Sequence, residues 1–223
     1  FALLGLGGIF LLPFLVSRVG MQKFDVFDGF KRLAENTPFL LALILSIVMA
    51  FNGHQFFIDD TTYAAYAMNW QHSTQLGFRN IVHQVDVIEQ ARFWFALYPM
   101  VQAVLADLSG IPIILLFSNY LELFLVPFSL FIAYWFACDL GLSRKASGVA
   151  VLIQTVFYIA MIDDSWPVGF WFYENMVEDK VSAVFLLSPV FFTLVLRFLE
   201  VPVTKNIILV FLSGAGLALT HPV

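Results

Sequence analysis

Long apolar runs follow one another along this 223-residue chain, and they limit what it can fold into. They cover residues 1–19, 38–57, 113–138, 147–162, 181–199 and 207–220. Only 12% of the residues are charged and the mean hydropathy is +0.87, which is more apolar sequence than the core of a soluble domain needs. Because the runs are continuous rather than alternating, they favour helices over β-barrel strands. We therefore expect an all-α, polytopic transmembrane bundle with about six spans.

These spans predict a single transmembrane domain over residues 1–223. The chain starts at Phe1 inside an apolar run, so we expect it to be a piece of a longer protein. The single cysteine, Cys138, excludes an internal disulfide and a cysteine-based metal site. The net charge of −5 argues against nucleic acid as a partner.

The basic residues predict an orientation, because lysine and arginine collect on the cytoplasmic side of a membrane protein. The predicted spans put seven of them on one side: Lys23, Lys31, Arg32, Arg144, Lys145, Arg197 and Lys205. The opposite side then carries external loops at about 58–112 and 163–180, together with His221. We expect an integral protein of a bacterial plasma membrane, with these acidic loops extracytoplasmic.

An acidic pair, Asp59-Asp60, ends the second apolar run, and an amphipathic segment follows it directly. One face of that segment, at helical spacing, carries Tyr63, Tyr66, Ala67 and Trp70. Tyr and Trp suit the boundary between lipid and water, so we expect an interfacial helix with Asp60 as its N-cap. A reaction site at the membrane surface and a solvated loop with a helix cap both fit this pattern.

A second amphipathic helix is predicted over Phe93–Ser109, and Gly110 and Pro112 end it. Its apolar stripe consists of Trp94, Leu97, Val101, Val104, Leu105 and Leu108. Gln102 and Asp107 lie off the stripe. We expect this helix to lie in the interface or to dip into the membrane.

A second acidic pair, Asp163-Asp164, ends a later run on the same side as Asp59-Asp60. Asp60, Asp163 and Asp164 together would offer the oxygen ligands that a divalent cation such as Mg²⁺ or Mn²⁺ prefers. Alternatively, one aspartate acts as a general base towards a hydroxyl group. Unrelated charges at helix ends are the third interpretation.

The second external loop adds further candidate binding residues, Trp171, Glu174 and Lys180. Lys180 is the loop's basic residue, and it either meets a lipid phosphate or pairs with a neighbouring carboxylate. Trp171 fits an aromatic belt or a sugar-stacking surface. His221, after the last run, can join a metal site or bind phosphate.

Glu122 is the ionisable residue that falls well inside a predicted span. Since a charge at the centre of a bilayer costs about 2.5–3.5 kcal/mol on insertion scales, Glu122 should face the bundle or a wet cavity. Ser118 and Asn119 lie one turn away and can hydrogen-bond to it. A structural polar contact and a functional carboxylate both remain open.

Several short segments resemble the polytopic GT-C glycosyltransferases, including bacterial membrane proteins of uncharacterised function with that architecture. They are the Asp59-Asp60 pair, Tyr98-Pro99, Leu108–Ile111, Glu178–Lys180 before a proline-containing span, and Leu219–Pro222. The resemblance implies a sugar donor on a polyprenyl phosphate or diphosphate, bound from the outer leaflet. It implies Asp59 or Asp60 as a base or metal ligand, and Asp163-Asp164 as a second acidic motif.

We therefore expect transfer of a sugar from a lipid-linked donor, with Lys180, Glu174, His221 and Trp171 binding the donor. Membrane lipid and other membrane subunits are further expected partners. One alternative is a non-catalytic subunit or scaffold of a larger complex. Another is a transporter that uses Glu122 as its coupling group.

Overall fold

The computed structural model describes residues 36–53, 64–68, 71, 79–80, 85–86, 97–162 and 168–220. Its helices are α1 Thr37–Gly53, α2 Tyr98–Ser109, α3 Ile113–Asp139, α4 Arg144–Ala160, α5 Val168–Glu174, α6 Asp179–Glu200 and α7 Thr204–Thr220. A two-residue antiparallel pair, β1 Arg79–Asn80 with β2 Val85–Asp86, is the extended part of the described chain. The prediction of an all-α fold is confirmed apart from this pair.

Two of these helices, α3 and α6, are long and apolar enough to cross a membrane. The apolar helices α1 and α7 are shorter. Five of the predicted spans coincide with α1, α3, α4, α6 and α7, and the span predicted at residues 1–19 lies outside the described residues. Six membrane crossings therefore stay a prediction.

Hydrogen bonds between helix ends place the start of α1 beside the start of α4, and the end of α3 beside the end of α6. At the start of α1, the Asn36 side-chain amide donates to the Arg144 carbonyl at 2.7 Å, where α4 begins. At the end of α6, Arg197 binds Asp139, the last residue of α3, through Nε–Oδ2 at 2.6 Å and Nη2–Oδ1 at 3.0 Å. We call this side of the bundle, with Arg144, Lys145, Arg197 and Lys205, the basic end. The predicted grouping of these four residues is confirmed.

The bundle buries aromatic and aliphatic side chains between α1, α3, α4 and α6. Phe39 and Leu130 are fully enclosed there. Its outer surface is apolar as well, with Phe51 75% and Phe211 73% exposed. Large hydrophobic residues exposed on both α1 and α7 are what a lipid-facing surface requires.

The chain between α4 and α6 turns back into the bundle. We call residues 168–182, which comprise α5 and the first turn of α6, the re-entrant segment. Every residue from Phe172 to Asp179 is buried. The sequence predicts an external polar loop here, and the described part, 168–180, differs from that prediction because its aromatic residues pack into the core beside α1 and α4.

Both long helices contain a stretch of π-helix next to the re-entrant segment. In α3 it covers Leu116–Leu121, directly before Glu122, and in α6 it covers Ala183–Leu187, directly after Ser182. In α6, the Ser188 hydroxyl donates to the Ala183 carbonyl at 2.9 Å, one residue before Pro189. Since π-helical turns are rare and frequently occur at functional sites, they direct attention to this end of the bundle.

Candidate functional site

The re-entrant segment reaches well below the rim of the bundle. The Tyr173 and Ser46 hydroxyls lie 3.0 Å apart. Ser46 stands seven residues before Gly53, the last residue of α1, which is about 10 Å along a helix axis. Tyr173 is fully buried, and this burial raises its pKa to about 12, against a smaller opposite effect of the Ser46 hydrogen bond. We call the side of the bundle that receives this segment the acidic end.

Lys180 is held between a carboxylate and an aromatic ring. Its ammonium nitrogen lies 2.9 Å from Glu178 Oε2 and 4.7 Å from the centre of the Trp171 ring. The Lys180 side chain is 35% exposed, whereas that of Glu178 is 1% exposed. The ammonium group is therefore fixed in direction and still reachable from outside the bundle, a suitable arrangement for an anion.

Four carboxylates of the acidic end are buried. Glu122 and Glu178 are 1% exposed, and Glu174 and Asp179 are 7% exposed. Asp179 and Glu122 both raise the pKa of Tyr98 through their negative charge, so both lie near its hydroxyl. Burial of that hydroxyl is the larger cause of the raised pKa. The acidic end thus contains concentrated negative charge together with Lys180.

Helix α2 is hydrogen-bonded to the re-entrant segment at two places. The Tyr98 hydroxyl lies 2.7 Å from Ser182 Oγ, and Gln102 Nε2 donates to the Val177 carbonyl at 2.9 Å. Ser182 Oγ donates its own hydrogen to the Met176 carbonyl at 2.7 Å. A serine hydroxyl has a single hydrogen, so Tyr98 is the donor to Ser182.

The same helix contacts the other parts of the acidic end. Ala103 and Ala106 pack in one buried cluster with Ala64 and Ala67, from the helical turn that follows the Asp59-Asp60 pair in sequence. Gln71 Nε2 donates to Asp107 Oδ1 at 2.8 Å.

Next to the start of α2, the Leu97 amide donates to the Leu219 carbonyl at 2.9 Å, near the end of α7. His221 follows this point in the sequence. Helix α2 therefore contacts the segment that follows Asp59-Asp60, the segment that carries Lys180 and the segment that precedes His221.

The predicted site residues divide into two sets. Trp171, Glu174 and Lys180 are described, and the structure brings them together in the re-entrant segment. The others lie outside the described residues: Asp59, Asp60, Asp163, Asp164 and His221. Within the described ranges, no three His, Cys, Asp or Glu residues converge on a position that could hold a metal ion. The divalent cation stays a prediction.

The sequence pattern does not single out Tyr98, Gln102 and Ser182 as members of this site. Gln102 lies off the predicted apolar stripe, and the buried residues of α2 are Pro99, Gln102, Ala103 and Ala106, whereas Leu108 is 76% exposed. Small and polar residues face the protein and apolar ones face outward, the usual order for a helix in lipid. The small and polar face of the α2 sequence could therefore have been used to predict which side of the helix is buried.

Glu122 is buried as predicted, but its expected neighbour Asn119 is exposed. The π-helical turn at Leu116–Leu121 has a longer repeat than an α-helix, so residues three apart no longer share a face. The predicted hydrogen bond between Asn119 and Glu122 stays a prediction.

Comparison with known proteins gives no relative for this chain: no family model, no curated protein and no solved structure matches it.

Proposed function

We propose that this protein is a membrane glycosyltransferase of GT-C type, which transfers a sugar from a polyprenyl-phosphate-linked donor on the extracytoplasmic face. One observation supports this more than any other. Helix α2 contacts the helical turn after Asp59-Asp60, the lysine-bearing re-entrant segment and the end of α7 before His221. Acidic groups, a cation and aromatic rings are the parts such a reaction needs at one end of a bundle.

In the proposed reaction, an acceptor hydroxyl attacks the anomeric carbon of the lipid-linked sugar. A new carbon–oxygen bond forms, the bond from that carbon to the phosphate oxygen breaks, and the polyprenyl phosphate leaves with the electron pair. Asp59 or Asp60 takes the hydroxyl proton as general base.

Lys180 stabilises the departing phosphate in this proposal, because an ammonium group neutralises the charge that develops there. Its position against Glu178 and Trp171 keeps it in place before the donor arrives. Trp171 and Glu174 contact the sugar, and His221 contacts the phosphate. A divalent cation at Asp60, Asp163 and Asp164 would add positive charge, but no step here depends on it.

The test uses purified protein in lipid nanodiscs with polyprenyl-phosphate mannose and polyprenyl-phosphate glucose as probes. Water supplies the acceptor hydroxyl in this assay, and the free polyprenyl phosphate that each transfer leaves is separated and measured over time. We expect its release with at least one probe, and we expect Asp59→Asn with Asp60→Asn to reduce that release at least a hundredfold, the lower end of the contribution of one acid–base group.

Glu200→Gln is the matched control, because Glu200 is an exposed carboxylate at the end of α6 on the basic end. It should release polyprenyl phosphate at the wild-type rate. Equal rates in the double aspartate variant and the wild type would exclude the proposed base. Failure of both donors to bind at all would exclude the proposed substrate class.

A further inference from the structure

Two side chains of α2 control the shape of the turn that carries Lys180. The turn runs from Met176 to Ser182, and its ends are joined because Ser182 Oγ donates to the Met176 carbonyl. Gln102 donates to Val177 at one end of this turn, and Tyr98 donates to Ser182 at the other. Lys180 lies between these two attachments in the sequence.

The Gln102–Val177 and Ser182–Met176 hydrogen bonds are enclosed and the Tyr98–Ser182 bond is partly enclosed, which makes them effective restraints. Gln102 and Ser182 are 1% exposed, and the carbonyl groups that accept from them belong to the fully buried residues Val177 and Met176. A buried hydrogen bond that loses one partner leaves the other without water to replace it. The turn is therefore expected to rearrange when either α2 side chain is removed, rather than to exchange one partner for solvent.

The direction of the Tyr98 hydrogen bond adds to this restraint. Tyr98 must donate, because the Ser182 hydrogen is already used on Met176. The negative charges of Asp179 and Glu122 and the burial of the hydroxyl all keep Tyr98 protonated, and hence able to donate.

We infer that Tyr98 and Gln102 are positioning residues for the anion site at Lys180: they act on the phosphate of the donor through the 176–182 turn without touching it. This inference rests on the proposed function for the identity of the anion. The contact between Lys180 and the Trp171 ring, at 4.7 Å, provides a readout that does not depend on the donor.

The experiment combines a local spectroscopic signal with an affinity. The chain is labelled with 5-fluorotryptophan, and the ¹⁹F resonance of Trp171 is assigned with Trp171→Phe. Affinity for polyprenyl phosphate is measured in nanodiscs for the wild type, Tyr98→Phe, Gln102→Leu and Lys180→Ala. Tyr120→Phe is the matched control, because Tyr120 is 52% exposed on α3.

We expect Tyr98→Phe and Gln102→Leu to move the Trp171 resonance in the direction that Lys180→Ala moves it. Trp135, which lies under Arg197 at the basic end, should keep its resonance in all of them. Both α2 variants should weaken binding of polyprenyl phosphate roughly two- to tenfold, the effect of one lost neutral hydrogen bond. Tyr120→Phe should change neither quantity.

An unchanged Trp171 resonance in both α2 variants, with a clear change in Lys180→Ala, would overturn the positioning role. If Tyr98→Phe does not fold, Ser182→Ala removes the acceptor of the same hydrogen bond and is read in the same way. If Lys180→Ala moves the resonance but leaves affinity for polyprenyl phosphate unchanged, the proposed donor contact fails. The resonances of the α2 variants still decide the positioning role in that case.

Discussion

Gly169 is where α5 comes closest to α4, and an alanine there should dislodge the re-entrant segment. A Cβ added at Gly169 would lie 1.8 Å from the Tyr158 carbonyl oxygen and 3.0 Å from the Met161 carbonyl carbon. These are backbone atoms, so no side-chain rotation relieves the overlap. Moving from 1.8 Å to the 3.4 Å of an ordinary contact requires a displacement of roughly 1.6 Å.

Such a displacement has a calculable cost. Overpacking of this kind costs about 1–3 kcal/mol. The oxygen–oxygen distance between Tyr173 and Ser46, now 3.0 Å, would then exceed the length of a hydrogen bond. Losing it adds about 1 kcal/mol. We therefore expect Gly169→Ala to lower the free energy of unfolding by about 2–4 kcal/mol.

The assay is reversible unfolding in mixed micelles, followed by helical circular dichroism, with Gly216→Ala as control. A Cβ at Gly216 meets nothing within 4 Å, and Gly216 lies inside α7. Alanine is the better helix former by about 1 kcal/mol, so this control should be neutral or slightly stabilising. If the two variants unfold at the same denaturant concentration, the close seating of α5 on α4 is refuted.

Two further predictions concern single contacts. Burial raises the pKa of Tyr173 from its ordinary value of 10.0 to about 12. The free energy of folding that its protonated form contributes is therefore complete below pH 10 and is lost as the pH rises through 12. Unfolding at pH 10 to 12 should show a smaller loss of stability in Tyr173→Phe than in the wild type, and an equal loss would contradict this. Arg197→Lys loses one of the two hydrogen bonds to Asp139 and the contact of the guanidinium with the Trp135 ring, so it should lower the free energy of unfolding by about 1 kcal/mol. The control Arg144→Lys, at an exposed position, should leave the free energy of unfolding unchanged.

The long helices could be predicted because each one corresponds to a continuous apolar run in the sequence. The boundaries of α3 and α4 follow from local residues, since Gly141 adopts φ 90° between them and Ser143 caps α4 by accepting from the Ala146 amide. The grouping of Arg144, Arg197 and Lys205 at one end follows from counting helices, because each apolar run reverses the direction of the chain.

The re-entrant segment was not predictable in the same way. Its residues from Glu174 to Lys180 include four charged ones, which local sequence assigns to water. Its three carboxylates are buried in a turn to which Tyr98 and Gln102, 84 and 75 residues away from their partners, are hydrogen-bonded. The inner face of α2 was missed because the prediction rested on its apolar stripe, whereas small residues and Gln102 form the buried face.

The most direct test of the account is whether the acidic and basic ends lie on opposite sides of a membrane. In a Cys138→Ser background, Ser109→Cys reports on the end of α2 and Glu200→Cys on the end of α6, both exposed positions. A membrane-impermeant maleimide is added to right-side-out vesicles before and after permeabilisation. We predict that the cysteine at 109 reacts at once and the cysteine at 200 only after permeabilisation. Reaction of both before permeabilisation would contradict it.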